Sequence, residues 1–206
     1  MADIRNAITF LQTLAEIDPE RIALWGSSFG GANAIRVAAL DKRVKTLIAQ
    51  LTFASGKRMV TGKMNAEDLG KLEATLKKVR ERGVTQNKVL RLNPDQIITD
   101  EDSKAFFAEA LKLHPELNVK IPFLTLQHII EHNPEDDIAK VECATLIIGA
   151  AQDIVCPVRE SEILFERAHQ PKKLVILEGC RHYEAYDGAP FEKGAAEIVQ
   201  WLSTHL

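Results

Sequence analysis

Apolar positions recur along this chain with two periods. Ile4, Ala7, Ile8, Leu11, Leu14 and Ala15 lie three or four residues apart, which predicts one amphipathic helix, capped by Asp3 and stopped by Asp18-Pro19. Arg21 to Trp25 is apolar on both faces after Arg21, the pattern of a parallel strand covered by helices on each side. A glycine-rich turn follows. Ala32 to Leu40 then reads as a helix and Val44 to Leu51 as a second strand. Helix and strand in alternation imply a mainly parallel sheet with right-handed crossovers, an α/β fold.

The rhythm changes between about Phe53 and Ile138, where charge rises and strands disappear. Glu67 to Arg82 predicts a helix with Leu69, Leu72, Leu76 and Val79 on one face and Gly83 after its end. Ser103 to Leu113 and Phe123 to His132 predict two more, the last stopped by Asn133-Pro134. Sheet rhythm then returns, with strands at Ala144 to Gly149 and Lys173 to Leu177. Helices are expected at Pro157 to Ala168, with Pro in the first position, and at Ala189 to Leu206.

The turn after the first strand is Gly26-Ser27-Ser28-Phe29-Gly30, of the form G-x-S-x-G. A strand that turns sharply into a helix holds the apex residue, Ser28, at positive φ and lifts its Oγ clear of the sheet. Small residues at Gly26 and Gly30 let strand and helix approach closely. Asp153 follows the apolar strand that ends near Gly149, and His182 follows the one that ends near Leu177. Both therefore fall at the carboxyl edge of a parallel sheet, where sites gather. In this arrangement the chain resembles the α/β-hydrolase family, whose Ser, acid and His occur in that order.

The resemblance implies roles. Ser28 would attack an acyl carbon, His182 would take and return its proton, Asp153 would hold the imidazole, and the Phe29 N–H would receive the oxyanion. It also implies an α/β-hydrolase core at 1–52 and 141–206 and a helical cap inserted at 53–140. The expected activity is hydrolysis of carboxylic esters by a serine hydrolase, without a cofactor or metal; amide, thioester and carbon–carbon bond hydrolysis use the same groups. Phe53, Tyr183, Phe106 and Phe107 are candidates to line the substrate pocket, with Tyr186, Phe191, Phe123 and Leu126 nearby. Blander readings stand beside these: Ser28 as a small turn residue, His182 as a loop histidine, Asp153 as a cap before Pro157, with Asp187 the nearest rival acid.

The resemblance covers the C-terminal part of the family fold. About twenty residues precede the elbow, where the family has several strands and the loop that supplies a second oxyanion donor. The expectations are a bare edge at Arg21 to Trp25, open to a second copy of the chain or to a partner that supplies the strands, and weak or absent activity for the chain alone. A non-catalytic remnant or interaction subunit is the alternative from another class.

The 206 residues are 46% hydrophobic with a net charge of −3. That charge gives no electrostatic case for nucleic acid or an anionic membrane, so a small acyl compound is the expected partner. No apolar run reaches the roughly 20 residues that span a bilayer, and no signal peptide is visible. Cys143, Cys156 and Cys180 form no disulfide framework, and a cytoplasmic location is expected. His128 to His132 has the form H-x-x-E-H, a zinc-peptidase pattern without a clear third ligand, and reads as part of a packed helix. A Cys180–His182 nucleophile pair is disfavoured by closeness within one loop.

Overall fold

The computed structural model describes residues 1–206. In chain order the elements are α1 (Ala2–Leu11), β1 (Ile22–Ser27), α2 (Phe29–Leu40), β2 (Val44–Gln50), α3 (Gly56–Thr61), α4 (Ala66–Gln86), β3 (Arg91–Leu92), α5 (Glu101–Leu113), β4 (Ile121–Pro122), α6 (Thr125–Ile130), α7 (Pro134–Ile138), β5 (Ala144–Ala150), α8 (Val158–Arg167), β6 (Lys172–Leu177) and α9 (Gly188–His205). Two compact units result, one of Met1–Ser55 with Asn133–Leu206, the other of Gly56–His132.

The first unit is the expected α/β fold. Its four strands are all parallel, in the order β1, β2, β5, β6. Successive side chains of a strand point to opposite faces, so an unbroken apolar run needs a helical layer on both sides. On one face Leu47, Ala49 and Ile147 pack with Ile8 of α1, Ile35 and Val37 of α2, Ile138 of α7 and Leu164 of α8. On the other, Ile48, Leu146 and Ile148 pack with Val175 and Leu177 of β6 and Trp201 of α9. Trp201 Nε1–H donates to Thr46 Oγ1 (3.0 Å), and that hydroxyl donates to the Ala144 carbonyl (3.0 Å), so the buried polar atoms at this junction are paired. β1 is the end strand, and Trp25 on it is 55% exposed.

Several element ends differ from the sequence expectation. The first helix stops at Leu11, and residues 12–17 continue only as turns; Met1, not Asp3, occupies its N-cap position, and Asp3 lies in the first turn. Ile8 is its one buried side chain; Leu11 is exposed, and the core is met again only at Ile17, past the turns. In the second unit α4 runs through Gly83 to Gln86 and ends at Asn87 in the left-handed region (φ +51°). A glycine inside a helix costs only about 1 kcal/mol, whereas Asn tolerates the left-handed terminus. Asn65 caps α4 by accepting from the Asp68 N–H (2.9 Å), and Asp100 caps α5 by accepting from the Ser103 N–H (2.8 Å). The third predicted helix is confined to Thr125–Ile130, and a short antiparallel β3–β4 pair lies where no strand was expected.

Candidate active site

Ser28 stands between β1 and α2 with φ +52° and ψ −127°, a strained position for a residue with a Cβ. Its N–H donates to the Gln50 carbonyl of β2 (2.9 Å), and its carbonyl accepts from the Gly31 N–H (3.0 Å). The turn is as tight as its glycines suggest, though not at both expected positions. A Cβ on Gly26 would lie 2.2 Å from the Gly30 carbonyl oxygen, whereas one on Gly30 would meet nothing within 4 Å. The second close approach belongs to Gly31, where a Cβ would fall 2.8 Å from the Thr52 Cβ. The helix axis carries the Gly30 side outward and turns Gly31 onto the chain leaving β2.

Two loops at the same sheet edge meet Ser28. His182 Nε2 lies 3.2 Å from Ser28 Oγ, and His182 Nδ1 lies 2.6 Å from Asp153 Oδ2. His182 is 1% exposed and Asp153 5%. The other carboxylate oxygen of Asp153 accepts from the N–H groups of Val155 (2.8 Å) and Cys156 (2.7 Å), which fixes the carboxylate with Oδ2 aimed at the ring. The two loops are joined by the Gln152 N–H to the Cys180 carbonyl (2.9 Å). A hydroxyl, an imidazole and an acceptor-only carboxylate in this order can pass a proton from oxygen to nitrogen while the imidazolium is stabilised.

Asp187 is not part of this chain of contacts: its carboxylate accepts from the Gly188 N–H (2.7 Å) as the cap of α9. Cys180 is buried, its Sγ donates to the Arg181 carbonyl, and burial, then the carboxylates of Glu184 and Asp153, push its thiol pKa up. A raised thiol pKa disfavours the thiolate that a nucleophile needs. Phe29 opens α2, and its ring stacks on the buried Phe53 (6.0 Å between centroids, 16°). Tyr183 sits edge-on to His182 at 5.0 Å. Phe106 and Phe107 lie on α5 of the helical unit in edge contact with each other (5.8 Å). His128 lies within α6 and His132 beyond its end, while Glu131 accepts from Gln127 (2.7 Å). No group of three or more His, Cys, Asp and Glu side chains is placed to hold a metal ion. No helix is long and apolar enough to cross a membrane.

The family of serine aminopeptidases, S33, matches residues 1–187 of the chain. The chain belongs to this family of α/β hydrolases. A relative in Escherichia coli, an uncharacterized 31.7 kDa protein in the traX-finO intergenic region, is 37% identical over 205 residues, covering 99% of this chain and 72% of the relative. A thiohydrolase of Aspergillus aculeatus, aneE, is 25% identical over 208 residues, covering 92% of this chain and 64% of its own length. Among solved structures, DcsB in complex with its substrate analogue superposes with a TM-score of 0.84 at 23% identity, over 99% of this chain and 71% of that one, a likeness of fold.

One contact of this α/β hydrolase was not legible in the sequence. Ser27 Oγ and the Tyr186 hydroxyl lie 2.7 Å apart, joining the residue before Ser28 to the turn that follows His182. Ser27 fills an unspecified place in G-x-S-x-G, and Tyr186 read only as one more aromatic near the site. Glu160, at the start of α8, is a second such residue: it is buried and accepts from the N–H groups of Ala54 (2.8 Å) and Ser55 (3.1 Å).

Proposed function

We propose that the chain is a serine hydrolase that cleaves carboxylic esters through an acyl-enzyme. The observation that supports this reading is the continuous contact from Ser28 Oγ through His182 to the buried Asp153. Ser28 Oγ attacks the acyl carbon and its proton passes to His182 Nε2. Asp153 keeps the remaining ring proton on Nδ1 and offsets the imidazolium charge. The negative oxygen of the tetrahedral intermediate is received by the Phe29 N–H, at the first position of α2 where the helix presents its positive end. Collapse of the intermediate expels the alkoxide, which takes the proton from His182. Water then repeats the sequence on the acyl-enzyme and releases the acid.

A fluorophosphonate probe tests this directly. Labelling of the folded wild type at Ser28, found by mass spectrometry of the labelled peptide and lost in His182→Ala, is the expected result. Folded protein that takes no label points instead to a non-catalytic member of the fold.

A second reading concerns the bond. The relative named a thiohydrolase favours a thioester, whose thiolate leaves with less help from a proton than an alkoxide does. Turnover of an acyl thioester, read by thiol release, compared with that of the matching oxygen ester, separates the two.

A further inference from the structure

His182 is held at one end of its ring. The Nδ1–Asp153 bond fixes where that nitrogen sits but does not by itself fix the tilt of the ring, which sets Nε2 relative to Ser28. The Nε2–Oγ distance of 3.2 Å is near the outer limit of a hydrogen bond, so a small swing breaks the contact. A second restraint on the ring therefore has large leverage on proton transfer.

The residues after His182 supply one. His182 is the cap of a single 3-10 turn, Tyr183–Tyr186, which folds the two tyrosine rings back onto the imidazole. Their centroids lie 5.0 and 6.2 Å from its own, at 74° and 76°, both edge contacts of the kind aromatic rings prefer. Tyr186 also reaches Ser27, the last residue of β1 and the neighbour of Ser28, at 2.7 Å. One phenol thus touches the imidazole with its ring and the elbow with its hydroxyl, across 159 positions of sequence. A phenol is protonated near neutral pH, so either partner of this bond, which lies at the surface, can donate. The Gln152–Cys180 bond ties the histidine loop to the loop of the acid; the Ser27–Tyr186 bond ties it to the strand of the nucleophile.

We propose that Tyr186 is a positioning residue, which through its hydrogen bond to Ser27 sets the His182 imidazole against Ser28. The proposal rests on the reading of Ser28, His182 and Asp153 as a proton relay, and it adds to that reading a part that itself carries no proton of the reaction.

The test uses Tyr186→Phe, Ser27→Ala, the two together, and Ser27→Thr, which restores a hydroxyl. Three quantities are read on each: the rate of Ser28 phosphonylation by a fluorophosphonate, kcat and KM for an oxygen ester, and the proton NMR signal of His182 Nδ1–H. Urea midpoints report the stability of each variant. The single variants are expected to lose about three- to tenfold in kcat and in phosphonylation, the scale of one hydrogen bond, with KM unchanged. The double variant should fall no further than either single one, Ser27→Thr should keep the wild-type rate, and the Nδ1–H signal should shift or broaden in Tyr186→Phe. Unchanged rates with an unchanged signal, losses that multiply in the double variant, or losses that track the urea midpoint overturn the proposal. If the wild type takes no label, the hydrolase reading fails on its own, and the Nδ1–H signal still decides whether Tyr186 positions the ring.

Discussion

Asp153 divides its two carboxylate oxygens between two tasks: Oδ2 faces His182 Nδ1 at 2.6 Å, and Oδ1 accepts from the Val155 and Cys156 N–H groups. Substitution by Asn keeps the shape and sets these tasks in conflict. The amide oxygen satisfies the two backbone donors, so the amide NH2 is left facing Nδ1. It then donates to the ring, and the ring proton moves to Nε2, where no proton can be taken from Ser28. Asp153→Asn is expected to fold normally and to lower kcat/KM for an ester by about 10³- to 10⁴-fold. Steady-state kinetics with a circular dichroism spectrum check it; activity within tenfold of wild type would remove Asp153 from the relay.

The glycines of the elbow should respond in opposite ways. Gly26→Ala places a methyl group 2.2 Å from the Gly30 carbonyl oxygen, a backbone atom that cannot swing aside, so the turn must open. Loss of several kcal/mol or failure to fold is expected, as for overpacking at a rigid contact. Gly30→Ala meets open space on a helix and should be neutral or stabilising by up to about 1 kcal/mol. Urea denaturation of both variants is the measurement, and equal destabilisation would contradict the geometry.

Glu160 is buried and holds two main-chain donors that β2 leaves behind as the chain turns away. Glu160→Ala strips both donors of this acceptor, and about 2–4 kcal/mol of stability should be lost. Glu160→Gln keeps an oxygen for them and should lose clearly less. Chemical denaturation ranks the three proteins; equal losses in Gln and Ala would show that the charge, rather than the acceptor, matters.

Asp41 carries a pH dependence whose sign follows from its partners. The side chain of Arg43 donates to it at 2.8 and 2.6 Å and Arg5 at 3.2 Å, the latter reaching over from α1. The Arg43 hydrogen bond is the largest cause holding the carboxyl far below the usual aspartate range, against the opposing effect of burial. A carboxyl depressed in the folded state stabilises above its unfolded pKa of about 3.9 and loses that contribution as pH falls below it. Asp41→Asn should therefore be less stable than wild type at pH 7. The gap should close steadily below about pH 4. Unfolding midpoints from pH 7 to pH 2 provide the comparison; a gap that widens on acidification would mean that the carboxylate is not stabilised by these arginines.

Much of the frame is written locally. Apolar runs such as Val44–Gln50 and Ala144–Ala150 are long enough, and apolar enough on both faces, to require a sheet between two helical layers. Gly26-Ser27-Ser28-Phe29-Gly30 marks a turn, and the apolar strand before it with the helical run Ala32 to Leu40 after it makes that a sharp strand-to-helix turn. Asp153 and His182 each follow a parallel strand, so chain direction alone brings them to the edge where Ser28 stands.

Distances between segments remote in sequence were decided only in three dimensions. Asp153 and Asp187 are both acids in loops, and only the folded chain sets Asp153 against the ring and Asp187 over the end of α9. Gly30 and Gly31 are adjacent and identical, and the direction of one Cα–Cβ bond makes the second indispensable to the contact with Thr52 and the first open to solvent. Ser27 and Tyr186 have no local mark of their pairing, since the bond between them exists only once β1 and the turn after His182 share one edge of the sheet. Periodicity and turn chemistry act over a few residues and so are legible in sequence. Which side chain fills a given position opposite another depends on how whole elements pack, and this chain settles that only when its sheet is assembled.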